Sequence, residues 1–311
     1  MRKRTTEQGG DVKMRIVQVF LIILLTSGTA LADSSSPKLA AFYDRQMAIV
    51  AGQVYAWKGQ NSPTILPVTA RQVGVGRDKY YALTNNDDLM VFSGNTDQKT
   101  LLMAGIARFS AGDSGVLAIT NDSVLWWLSG ETRQHVATDV AVAAVGDGAN
   151  YYITSSGDLF VKGRAHRGQY GDGQLKSTDR FVQTASNATH ITAHTGHAIM
   201  LLENGDVLGT GGNIYGPVGI HGLEDKAIRW SVIMSGAKAI ATGASHSLAI
   251  RSNGTLVAWG RGHDTAPMPI LKEVMAVAAG SRTTIALKHD DTLWQWDRGG
   301  KPRRVEFPDG K

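Results

Sequence analysis

Cysteine is absent from all 311 residues. Its absence excludes disulfide cross-links, thiolate metal sites, a lipid-modified cysteine and a cysteine nucleophile. After residue 32 there is no helical periodicity of useful length. Signatures of assembled chemistry are missing as well. No G-x-S-x-G elbow, no H-E-x-x-H and no phosphate-cradling glycine loop leading into a helix occurs. Neither a cofactor nor a bound metal is expected. Charge is moderate, with Asp, Glu, Lys and Arg at 19%. Glycine is the opposite case. Its 36 copies suit a β-rich protein with many tight turns and suit neither a helical bundle nor a disordered chain. The length allows one large domain or two small ones, with ample core.

The N-terminus is expected to lie outside the fold. Met14-Arg15 precede an apolar run from Ile16 to Leu25, then Thr26-Ser27-Gly28-Thr29 and the small-residue site Ala30-Leu31-Ala32. This is the pattern of a secretory signal with cleavage before Asp33 and a true start at Met14. The run is shorter than the ~20 residues that span a bilayer, so an uncleaved anchor is the weaker alternative. Residues 33–36 then form a short leader, and 37–311 one domain. Of 32 bases and 27 acids, residues 1–32 hold five and two, leaving 27 against 25. A mature chain at +2 gives no electrostatic case for nucleic acid. The expected location is the bacterial periplasm or the medium, as a monomer with no membrane attachment after cleavage.

A repeat organises the remainder. Ala239 to Gly260 reads A-I-A-T-G-A-S-H-S-L-A-I-R-S-N-G-T-L-V-A-W-G, and Val277 to Asp297 repeats it. Each unit has a small-residue strand ending in or near glycine, a short loop, an apolar strand, a polar hairpin and an aromatic strand. Earlier copies end their third strand at Trp57, Phe92, Leu128, Lys162 and Thr210, followed by Trp259 and Trp296, at intervals of 34 to 49 residues. Asn-Gly and Asp-Asp pairs mark hairpins. Thr64–Val68, Phe181–Gln183 and Arg303–Phe307 supply further strands. Four short strands per unit, seven times, predict an all-β fold, a seven-bladed β-propeller of four-stranded antiparallel blades. Small residues suit the strand nearest the axis. Aromatics suit a strand further out, where blades pack face to face.

Ile240-Ala241-Thr242-Gly243, His246-Ser247, Asn253-Gly254 and Trp259-Gly260 together resemble the repeat of the regulator of chromosome condensation family. So do Val54-Tyr55-Ala56-Trp57 and the loop Gly163-Arg164-Ala165-His166-Arg167-Gly168-Gln169-Tyr170-Gly171-Asp172-Gly173, with a fainter copy at 211–219. The resemblance implies a seven-bladed ring over essentially all of 37–307. Four units are short and lack the G-Q-L-G-like loop. In that they are similar in format to secreted bacterial β-lactamase inhibitors, though no contact residue is matched. An export signal argues against the nuclear exchange role of the family's name-bearer.

Function is sought where units depart from the template. Antiparallel alternation places the inner-to-second-strand loops on one face, with Arg77, Asp78, Asp113, Asp147, His194 and Arg282. The long connections bring Arg164, His166, Arg167, Tyr170, Tyr215 and Trp230 toward the same face. The bland alternative is solvated loops with no partner. His197 and His246 read as structural residues tying loops to neighbouring backbone. His190 and His194, four residues apart on one strand, stand roughly 13 Å apart and cannot share an ion. Asp87-Asp88 and Asp290-Asp291 read as turns. The leading expectation is a non-enzymatic exported propeller that binds a protein or extracellular ligand through its loop-rich face. Two alternatives stand beside it. One is a lyase or hydrolase using Asp78, Asp113 and Asp147 as an acid/base set. The other is an inhibitor of a secreted enzyme such as a β-lactamase. Expression of the whole chain in a bacterial host should yield a periplasmic or secreted product whose mass and N-terminal sequence begin at Asp33. A cytoplasmic product starting at Met1 would refute the export reading.

Overall fold

The computed structural model describes residues 38–93, 98–220, 222 and 225–308. The expected signal and leader lie outside the described residues. The described chain forms seven four-stranded antiparallel sheets, each built from four strands consecutive in sequence and paired in that order. No helix occurs among the described residues. The blades cover 39–65, 70–103, 106–137, 140–185, 188–234, 237–271 and 274–304, and are numbered 1 to 7 below. The all-β seven-bladed propeller read from the repeat is therefore the fold.

The inner strands run Leu39–Phe42, Ala70–Val75, Ile106–Ala111, Val140–Val145, Ala188–Ala193, Ala237–Thr242 and Val274–Ala279. Together they line a central channel. Seven strands around one axis leave little room for side chains, and the sequence there is mostly Ala, Val and Gly. The glycine after an inner strand answers the same crowding. A Cβ on Gly243 would stand 2.6 Å from the Gly280 carbonyl of the next blade, and one on Gly280 would stand 2.5 Å from the Tyr43 carbonyl. What these positions need is lateral space against the neighbouring blade; neither has a left-handed backbone.

Apolar burial is arranged between blades. Seven hydrophobic clusters are present, and each joins one blade to the next. Both faces of each sheet are covered, so alternate residues of a strand feed different clusters. In blade 1, Val54 and Ala56 face blade 2, while Tyr55 and Trp57 face blade 7. The aromatic third strand belongs to these layers, with Trp259 and Trp296 almost wholly buried.

Outer strands differ in length from expectation. They shrink to Thr64–Ile65 and Arg303–Arg304, and lengthen to Thr178–Ala185. Pro67 lacks the N–H that a ladder needs, so pairing in blade 1 ends after the Leu66 amide reaches the Val54 carbonyl at 2.9 Å.

Among the described residues, each sheet takes its four strands from one continuous stretch of chain, and no strand is exchanged between its ends. The ring closes by side-chain packing of blade 7 on blade 1. Leu39, Tyr55, Trp57, Ile285, Leu293 and Phe307 share one cluster. Tyr55 and Phe307 rings lie 4.3 Å apart. Within that seam, Trp57 Nε1 donates to Gln295 Oε1 at 2.9 Å, and Gln295 Nε2 donates to the Gly59 carbonyl at 2.8 Å. Gln295 is 3% exposed, so both partners would be orphaned without it. Gln295→Ala should lower the unfolding free energy by about 2–3 kcal/mol in urea titration. Gln183→Ala, which removes only an exposed bond to Asp158, should change it by less than about 0.5 kcal/mol. Equal effects would show that the Gln295 bridge does not hold the closure.

Candidate functional site

Inner-to-second and third-to-outer loops emerge on one face, the loop face, and the polar hairpins on the other. At the seam of blades 7, 1 and 2 the loop face is hollowed into an open groove of about 920 Å³. Tyr43 and Asp44 reach it from blade 1, and Arg77 and Asp78 from blade 2. Arg282, Asp297 and Arg298 reach it from blade 7. Three of these are among the residues expected from sequence: Arg77, Asp78 and Arg282, all exposed.

Local contacts order this groove without filling it. Arg77 Nε pairs with Asp113 Oδ1 at 2.5 Å, and its guanidinium lies over the Tyr43 ring at 5.7 Å. The Tyr43 hydroxyl first, and Asp113 second, push the Arg77 pKa up. Arg45 donates to the Arg77 carbonyl at 2.9 Å and sits over Tyr80. Asp297 accepts from Gln60 and from Thr283, at 2.9 and 3.1 Å. Arg298 donates to the Ser281 carbonyl at 2.7 Å, and its Nε is buried without a partner. Burial, followed by Arg261 and Arg282, lowers the Arg298 pKa. An arginine cluster therefore crowns blades 6 and 7. Further along, Arg261 stacks over Tyr215 at 4.2 Å.

Other expected residues are placed differently. Arg164, His166 and Arg167 are exposed on the loop of blade 4, far along the ring from the groove. Tyr170 is a correction. It is 1% exposed, and its hydroxyl donates to the Gly163 carbonyl at 2.8 Å while accepting from the Thr178 amide at 3.1 Å. Trp230 is half-buried in the layer between blades 4 and 5, against Gly171. Both hold the long loop down and are removed from the recognition surface. That loop is a clamp between blades. Thr210 donates to the Gly168 carbonyl and the Gly173 amide to the Ile228 carbonyl, at 2.8 and 2.7 Å. The 211–219 loop does the same for blade 6, where Ser247 and Trp259 both donate to the Pro217 carbonyl. Only its tip, Ile214 and Tyr215, stands out, at 67% and 47% exposure.

His194, in the place where most other inner strands are followed by glycine, stands at the mouth of the channel. It is 7% exposed and lies within the channel lining, stacked on Phe42 at 5.2 Å. Phe42 belongs to blade 1 and His194 to blade 5, so the pair spans the channel at its loop-face end. His197 and His246 are structural, with different partners from those expected. His197 Nε2 meets Ser247 Oγ, and His246 Nε2 meets Thr284 Oγ1, each at 3.0 Å. Each ring ties its blade to a hydroxyl of the next blade, not to backbone. Among the acids, a cavity of about 180 Å³ between blades 2 and 3 takes in Asp78 and Asp113 and leaves Asp147 out. Asp113 is already held by Arg77.

Sequence reasoning missed Arg45, Lys58, Arg261 and Arg298. The signal was available in part, because third-to-outer loops leave the same face as the inner loops. The convergence of Arg45, Lys58 and Arg298 at one seam needed the closed ring.

Residues 237–264 match the family model of the regulator of chromosome condensation (RCC1) repeat. The secretion-regulating guanine nucleotide exchange factor of Bos taurus is 32% identical over 124 residues, or 38% of this chain and 27% of that protein. This chain thus spans about a quarter of that relative's length. The related protein of Mus musculus is 30% identical over the same length and coverage. Among solved structures, yeast RCC1 (Prp20), crystallised with Kap60, superposes with a TM-score of 0.74 at 14% identity, covering 99% of this chain and 92% of that one.

Burial alone makes a pH prediction at this face. It lowers the pKa of His194 to about 4 and, helped by neighbouring histidines, those of His197 and His246 to about 3. The unfolded chain takes up these protons near pH 6.5 and the folded chain does not. Stability is therefore full above about 6.5 and falls as pH drops toward 4, by about 1.4 kcal/mol per pH unit for each histidine. Urea titrations from pH 7.5 to 5 should show this loss, and His197→Gln should flatten the slope by about one proton. An unchanged slope would refute a neutral buried His197.

Proposed function

We propose that this RCC1-like seven-bladed propeller is an exported, non-enzymatic binding protein, and that its loop face at the seam of blades 7, 1 and 2 takes a protein partner. The observation that carries the reading is the open groove. It gathers exposed Arg77, Arg282 and Tyr43 beside Asp44 and Asp78, from three blades that are rigidly packed together. Arginine and tyrosine on an ordered frame lose little freedom on binding, which is what a recognition surface needs. The acids of the alternative enzyme do not form a free set. Asp113 is bound to Arg77, and Asp147 stands apart from the cavity that holds Asp78.

The relatives support protein contact as the mode of action. The bovine and murine proteins are named as exchange factors. The yeast protein of similar fold is described by its binding to Gsp1p and histones. Those partners are not carried over. An exported chain meets a different set of proteins, and the similarity to the yeast structure is one of fold.

The charge pattern sets the partner's character. Arg261, Arg282 and Arg298 cluster on blades 6 and 7, while Asp78 and Asp113 lie on blades 2 and 3. A partner with an acidic patch opposite blade 7 would fit, while the paired Arg77 and Asp113 leave blades 2 and 3 near neutral. Capture from periplasm and medium, with the mature chain as bait, tests the reading. The double variant Arg77→Glu/Arg282→Glu should lose the captured partner or bind it at least tenfold more weakly. Asp290→Lys, on the hairpin face, should retain it. Retention by the double variant, or turnover of a small molecule with no partner captured, would overturn the proposal.

A further inference from the structure

Chemistry of a different kind lies inside the channel. The seven inner strands enclose a cavity of about 300 Å³. Most of its wall is backbone and small apolar side chains. The titratable residues that line it are Arg108, His190, His194 and Lys238, and no Asp or Glu is among them. The Phe42–His194 stack spans the loop-face end. Arg108, His190 and Lys238 lie near the starts of their strands, which is the hairpin-face end.

Arg108 is the guanidinium among these. It is half-buried. Its Nη1 donates to the Ala141 carbonyl of blade 4 at 3.3 Å, so the side chain leans across blade 4 toward blade 5. There it stands close enough to His190 to depress the imidazole pKa, after burial, to about 4. Neither Arg108 nor Lys238 takes part in an ion pair among the described residues. Arg71, next along the ring, is neutralised: its Nη2 lies 2.7 Å from Asp87 Oδ1 and donates to the Ile106 carbonyl at 2.9 Å. Burial first, and Arg71 second, lower the Arg108 pKa. The fold has therefore placed a guanidinium in a confined space whose one other charged lining residue, Lys238, has the same sign. A partly buried cation with no counter-charge is costly, and a planar guanidinium is best matched by two oxygens of one anion.

We infer that the channel is a binding site for a small oxyanion, a phosphate or a carboxylate, held by Arg108 at the hairpin-face end with Lys238 adding long-range attraction. The ligand reaches the site from the hairpin face, because Phe42 and His194 occupy the opposite end. Arg108 presents the N–H groups not used on Ala141 to the oxygens. The loop face is not involved, so the site stands or falls separately from partner binding there.

Isothermal titration of the full chain with inorganic phosphate, and separately with citrate, tests this at constant ionic strength set by sodium chloride. Saturable one-to-one binding of at least one anion is expected, and which anion binds identifies the source. Arg108→Gln should weaken it at least tenfold, whereas Arg303→Gln, on an exposed outer strand, should leave it unchanged. In chloride alone, Arg108→Gln should melt at or above the parent temperature, since it removes an unpaired charge. If that variant fails to fold, Arg108→Lys keeps the charge, loses the planar fork, and should still bind several-fold more weakly. Absence of binding beyond chloride, or binding unchanged in the folded Arg108 variant, would overturn the inference.

Discussion

Seven strands meet around one axis, and lateral crowding there governs the rest of the molecule. It demands small inner residues and makes the glycines at 243 and 280 a matter of space against the next blade. It also gives weight to every exception. Where a large side chain stands on an inner strand or at its exit, it must go somewhere definite. Phe42 and His194 meet across the channel, and Arg108 leans over blade 4 to His190. Each exception to the small-residue rule thus becomes a specific feature of the channel.

Stability is distributed along the same geometry. Among the described residues the buried apolar groups form no single central core. Seven layers between blades take its place, and each blade depends on two neighbours. Polar bridges repeat this logic within the layers. His197 reaches Ser247, His246 reaches Thr284, and Trp259 reaches the Pro217 carbonyl. The closing layer between blades 7 and 1 differs only in spanning the two ends of the chain, with Gln295 bridging Trp57 and Gly59. Closure by packing and hydrogen bonds across the seam makes it the place where sequence-distant residues meet, and the loop-face groove lies directly above it.

Loops that looked free in sequence serve this architecture first. The 163–173 and 211–219 segments fasten blade to blade, and their glycines admit Trp230, Arg229 and Trp259 at close range. What remains for recognition is what the clamps do not use: the groove arginines, Tyr43, and the tip at Ile214 and Tyr215. The Phe42–His194 stack lies between this surface and the channel cavity, so the two ends of the axis carry independent chemistry.

The period of the repeat was enough to determine the fold class and the number of blades, because local strand and turn preferences recur seven times and agree with one another. It also settled which loops share a face, since antiparallel alternation leaves no choice. Arg77, Asp78 and Arg282 were legible for that reason. Three things were decided only by tertiary structure. Tyr170 and Trp230 turned inward, because burial depends on what the adjacent blade offers, and no residue within one repeat encodes that. Arg45, Lys58 and Arg298 joined the groove only when blade 7 met blade 1, a contact across more than 200 residues of chain. The one-signed channel arose likewise. Arg108, His190 and Lys238 lie on three blades and become neighbours of one cavity only when the ring closes.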